Sequence, residues 1–145
     1  MGARRSGRES ALQMLFQIDA SGVSSERAIE LFFRHFEADP EGKSYAETIV
    51  RGVESAGAGL DQLIEKASNN WRIARMTKVD RNVLRVAAWE LAHGDNQPRA
   101  VILDEAVELA KTYGSEDSSS FVNGVLQRIA DLVSDRSGTR PPRGS

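Results

Sequence analysis

Apolar residues recur along this chain at spacings of three and four, and no sustained stretch alternates with period two. That periodicity suits one buried face of an α-helix and leaves no segment patterned as a half-buried strand. Leu12, Leu15, Phe16 and Ile18 predict a first helix over about residues 9–20, closed by Gly22. Ser24 or Ser25 can cap a second helix, with Ala28, Leu31, Phe32, His35 and Phe36 on one side. Asp39-Pro40-Glu41-Gly42 breaks the pattern, and Ser44-x-x-Glu47 reads as a capping box for a third helix carrying Ala46, Ile49, Val50 and Val53. A short fourth helix bears Leu60, Leu63, Ile64 and Ala67 and fades at Asn69-Asn70.

Beyond Trp71–Met76 the pattern resumes. Thr77 is a plausible N-cap, and Val79, Val83, Leu84, Val86, Ala87 and Leu91 give a broad apolar face ending at His93-Gly94. After the turn Gly94–Pro98, a stripe of Leu103, Ala106, Val107 and Ala110 stops at Gly114. The last helix begins near Asp117 or Ser118, with Phe121 or Val122, Val125, Ile129 and Leu132 inward. The expected fold is therefore all-α: about seven helices in a compact bundle of two subdomains. The expected limits are a flexible basic arm over 1–8, a helical domain over 9–133 with halves at roughly 9–70 and 77–133, and a disordered tail over 134–145.

At 145 residues the chain is long enough to bury a core without staples, and it contains no cysteine. Thiolate nucleophiles, disulfides and cysteine-based metal centres are thereby excluded. Two histidines 58 positions apart cannot form a histidine-rich metal site; His35 falls at apolar spacing and His93 at a helix end. No uninterrupted apolar run exceeds four residues, so neither a membrane span nor a signal peptide is expected, and the chain reads as cytoplasmic. Gly-x-Ser-x-Gly, Gly-x-x-x-x-Gly-Lys-Ser/Thr and Gly-x-Gly-x-x-Gly motifs are all missing. Asp104, Glu105 and Glu108 could hold a cation, but they read more simply as a solvated helix face. An enzyme is not expected, nor is any metal or cofactor.

Charge is unevenly placed. Residues 1–10 and 134–145 each balance at +2, whereas 11–133 hold 13 basic against 19 acidic residues, a balance of −6. Such a body cannot coat nucleic acid over its whole surface, yet a basic arm could hold a phosphate backbone locally. Arg4, Arg5 and Arg8 offer the planar fork that suits phosphate and the flat face that suits a base.

Three segments raise that weak signal: Arg4–Phe16, Val79–Leu91, and Asp104–Lys111 continuing through Tyr113-Gly114 to Asp117-Ser118-Ser119-Ser120-Phe121-Val122-Asn123-Gly124-Val125-Leu126. In order and spacing they closely resemble the NusB family of bacterial transcription antitermination factors, over about residues 3–133. The resemblance implies an all-α fold of two helical subdomains and a non-catalytic role. It implies RNA binding at the boxA element together with NusE, the transcription-factor role of a small-subunit ribosomal protein. With other Nus factors, that pairing keeps RNA polymerase processive on ribosomal RNA operons. By position, Arg4, Arg5 and Arg8 match the RNA-meeting arm, and Ser118 and Phe121 fall in a second RNA-contacting segment. Phe121 equally suits a core anchor. Phe16 and Asp80 match the NusE-facing side.

The chain departs from the family pattern in three places: Ser6-Gly7 reduces the arm's charge and adds flexibility, Ser120 replaces a common lysine, and Phe16 replaces a frequent tyrosine. The alternative reading is a helical protein–protein module, or a homodimer with its RNA face masked. A methyltransferase built on such a domain would need a cysteine nucleophile that the chain lacks.

Overall fold

Asp39 and Pro40 begin a helix where the sequence pattern suggested a break, and that start fixes much of the architecture. The computed structural model describes residues 2–37, 39–94 and 97–137. Among them are six α-helices, α1 (Ala3–Ser21), α2 (Ser25–His35), α3 (Pro40–Ala67), α4 (Lys78–His93), α5 (Arg99–Tyr113) and α6 (Ser118–Ser137), with a single 3-10 turn at Ile73–Arg75. Asp39 accepts a hydrogen bond from the Gly42 N–H (2.8 Å), and Pro40 occupies the first turn, where its missing N–H costs nothing. The Ser44 capping box is therefore not used; Ser44 lies inside α3, and its carbonyl accepts from the Thr48 hydroxyl.

Gly57, at φ 54° and ψ −133°, breaks the helical conformation within α3 and separates the two helices expected there. Counting its two parts separately gives seven helical segments. Ser24 and Thr77 cap α2 and α4 as their positions predict, accepting from the N–H groups of Arg27 and Asp80.

The N-terminal arm departs from expectation. It is the opening of α1, which runs from Ala3 rather than from residue 9. Gly7 is the reason α1 can lie close against α3. A Cβ at Gly7 would meet the Gly42 carbonyl oxygen at 3.0 Å and the Tyr45 ring at 3.1 Å, and one at Gly42 would meet the Ser6 hydroxyl at 2.7 Å. The Ser6-Gly7 pair thus serves close packing rather than flexibility. At the other end, α6 continues past the expected boundary at 133, and residues 138–145 of the expected tail lie outside the described residues, as do Asp95 and Asn96 of the 94–98 turn.

One apolar core joins the two halves. Leu12, Met14 and Leu15 of α1, Ile49, Val50 and Ile64 of α3, Val83, Leu84 and Val86 of α4, Ile102, Leu103 and Ala106 of α5, and Val122, Val125 and Ile129 of α6 are all buried in it. Helix α4 is the hub, packing on α1, α3, α5 and α6. His35, expected at an inward position, is exposed because α2 packs on the core through Ala28, Ile29, Phe32 and Phe33, and its last turn lies beyond that contact.

Candidate nucleic-acid interface

The three arginines of the N-terminal segment have different fates. Arg8 is only 3% exposed, so it is not a surface cation. Its Nε donates to both Glu90 carboxylate oxygens, at 2.9 and 3.0 Å, and its NH2 group reaches the Gln97 side-chain oxygen. The Tyr45 hydroxyl donates to Glu90, and Gln97 Nε2 donates to that hydroxyl (2.9 Å) and to Glu90 (3.2 Å). A charge buried this deeply requires such partners, and Glu90 and Gln97 supply them from far along the sequence. Burial, reinforced by the bond to Glu90, pushes the Tyr45 phenol up to about 12.

Arg5 is exposed and forms a bidentate pair with Glu105 of α5, at 2.9 and 2.6 Å. That bond holds the Glu105 carboxyl below the usual carboxylate range and raises Arg5 above its ordinary value. Glu105 also lies 3.7 Å from Arg8, so the carboxylate expected on a solvated face instead ties α5 to α1. Among the described residues no acidic or histidine cluster could hold a metal ion. Arg4, half-buried, sits over the Tyr45 ring at 4.8 Å.

The second segment is joined to the first through α5. From Glu105 that helix runs on for about two turns to Gly114, where the chain turns into α6. Ser118 is 1% exposed, and its hydroxyl accepts the Ser115 N–H at 2.9 Å. Ser118, expected in the second RNA-contacting segment, thus has its side chain turned inward, where it holds the turn. Phe121 is half-buried and packs edge-on against Trp71, with ring centroids 6.4 Å apart. Val122 takes the fully buried place beside it.

Phe16 and Asp80 lie where the end of α1 meets the start of α4. Phe16 is 39% exposed. One turn on, Asp19 accepts hydrogen bonds from Arg81 (2.6 and 2.8 Å) and Asn82 (3.0 Å). Burial alone would raise the Asp19 carboxyl, but these bonds outweigh it and hold the group below its ordinary value. Asp80 is 9% exposed in the first turn of α4, and its Oδ1 is buried without a hydrogen-bond partner. Of this pair, only Phe16 presents a large surface.

Trp71, 55% exposed, is a surface feature that the periodicity does not single out. A bulky aromatic between Asn69-Asn70 and Arg72 was the available signal, hidden because the segment reads as a spacer.

The comparisons agree on one family. The NusB family model matches residues 5–131. Transcription antitermination protein NusB of Sorangium cellulosum is 60% identical over 131 residues, covering 90% of this chain and 94% of the relative. The T. maritima NusB structure superimposes with a TM-score of 0.81 at 37% identity, covering 88% of this chain and 90% of that one. A structure of antitermination factors NusB and NusE in complex with dsRNA matches with a TM-score of 0.82 at 26% identity, covering 91% and 98% of the two chains.

Proposed function

The chain belongs to the NusB family, and from that premise we propose that it is an RNA-binding transcription antitermination factor. One observation carries this reading. The 60% identity with a transcription antitermination protein spans 94% of that relative, leaving almost none of it unmatched. In this role the chain pairs with NusE and holds the boxA element of nascent RNA. With other Nus factors the assembly keeps RNA polymerase processive through ribosomal RNA operons. The relative solved with NusE and dsRNA supports both partners. The work is binding rather than catalysis, carried out in the cytoplasm; no helix among the described residues is long and apolar enough to cross a membrane.

Within that role Arg4 and Arg5 meet phosphate, and Phe121 offers its ring to an unpaired base. Arg8 and Ser118 act from behind, Arg8 by fixing α1 against α4 and Ser118 by fixing the turn into α6. Phe16 faces NusE, with Asp80 shaping the helix start beneath it.

The test is a titration of boxA RNA against the full chain, with and without purified NusE. The acidic balance of the body predicts weak binding alone and tight binding with NusE. Equal affinity in both conditions overturns the cooperative reading, and no binding in either overturns the RNA-binding one.

A further inference from the structure

We infer that Trp71 is a second nucleobase-stacking surface, paired with Phe121 and flanked by Arg72 and Arg128. This rests on the RNA-binding reading above and extends it to a loop outside both segments assigned there.

Trp71 is 55% exposed and leaves a large aromatic face open to a partner. The loop that carries it is nevertheless firmly held. Asn69 and Asn70 adopt left-handed conformations, at φ 59° and 64°. The Asn70 N–H donates to the Glu65 carbonyl (2.7 Å) and the Trp71 N–H to the Ser68 carbonyl (3.2 Å). The Ser68 hydroxyl donates to the Trp71 carbonyl (3.2 Å), and the Ile73 N–H donates to the Glu65 carboxylate (2.7 Å). An aromatic ring presented on a pinned loop loses little freedom when a base stacks on it.

The surrounding charge suits a nucleic-acid strand. Arg72 follows directly and is exposed. Arg128 lies two turns beyond Phe121 on α6, and its Nε donates to the Ala67 carbonyl at 2.5 Å, placing an exposed guanidinium at the root of the Trp71 loop. The nearby carboxylates are Glu65, engaged by the loop backbone, and Glu116 and Asp117, exposed before α6. A strand stacked on Trp71 and Phe121 therefore faces its phosphates toward Arg72 and Arg128 rather than toward Glu116 and Asp117. Aromatic faces bracketed by arginines form the general arrangement for unpaired bases.

The chain has two tryptophans, so Trp89→Phe leaves Trp71 as the only indole emitter. In that background, boxA-bearing single-stranded RNA is titrated with NusE present. Saturable quenching of Trp71 emission is expected, following the same isotherm as binding. Trp71→Ala should weaken RNA binding roughly tenfold with the salt dependence unchanged, and Trp71→Phe should restore most of the loss. Thermal unfolding of Trp71→Ala should match the parent, since the ring is not core. Unquenched emission with unchanged affinity in Trp71→Ala overturns the inference while leaving the RNA-binding function intact. Loss of NusE binding rather than RNA binding in Trp71→Ala also overturns it, assigning the ring to the protein partner. Absence of RNA binding by the unaltered chain overturns both readings.

Discussion

Arg8 and Arg5 stand three positions apart with opposite environments. Arg8 shares a buried site with Glu90, and removing one member of such a pair leaves the other charged and desolvated. Arg8→Ala should therefore cost about 3–5 kcal/mol in urea unfolding. A loss below about 1 kcal/mol would show that water already reaches Glu90. Tyr45 adds a pH dependence to the same cluster. Its phenol is raised from an ordinary 10.0 to about 12, so the folded state holds this proton more tightly than the unfolded chain does. The associated stability is complete below pH 10.0 and is lost as pH rises through about 12. Unfolding free energy should fall across that window, and Tyr45→Phe, less stable at neutral pH, should show a shallower decline.

Among the helices, Gly57 carries the sharpest conformational demand. Its backbone lies where L-residues are strained, although a Cβ there would meet no neighbour. Gly57→Ala should consequently destabilise the fold by about 1–3 kcal/mol through backbone strain alone. Equal midpoints in paired denaturant curves would contradict that. Much at this scale was legible in the sequence. Ser24 and Thr77 were readable as caps because a cap bonds within three residues, and the stripes of α4 and α6 were readable because burial follows the 3.6-residue period. What was misread depended on distant partners. Asp39 and Ser44 both carry valid start signals, and the choice between them goes with the seating of Gly42 against Ser6 on α1. Arg8 looked like an arm residue because its partner Glu90 lies 82 positions away. The polar neighbours Asn69-Asn70 and Arg72 mark Trp71 as a surface residue, but they equally mark a spacer, so its role is not legible locally.

For the molecule as a whole, the acidic body makes the basic edge small. With Arg8 internal, the phosphate contact proposed for the N-terminal segment rests on two arginines, Arg4 and Arg5. Each phosphate neutralised on a single strand contributes about 0.7 to the log–log salt slope. Arg4→Ala with Arg5→Ala should reduce the slope by about 1.4, measured as RNA affinity over a series of salt concentrations. An unchanged slope would place phosphate contact elsewhere. On that proposal Arg5 exchanges Glu105 for phosphate, so part of its attraction is spent on breaking an existing ion pair.

The central position of α4 also governs how the chain comes into being. Residues 3–67 leave the ribosome before the helix against which α1 and α3 pack, and Val83, Leu84 and Val86 follow later. At about 5–20 residues per second, the nascent chain passes seconds in which α1 and α3 can cover each other but not the faces that α4 later fills. Its first half can thus pair α1 with α3 as it emerges, and the shared core closes only when α4 follows.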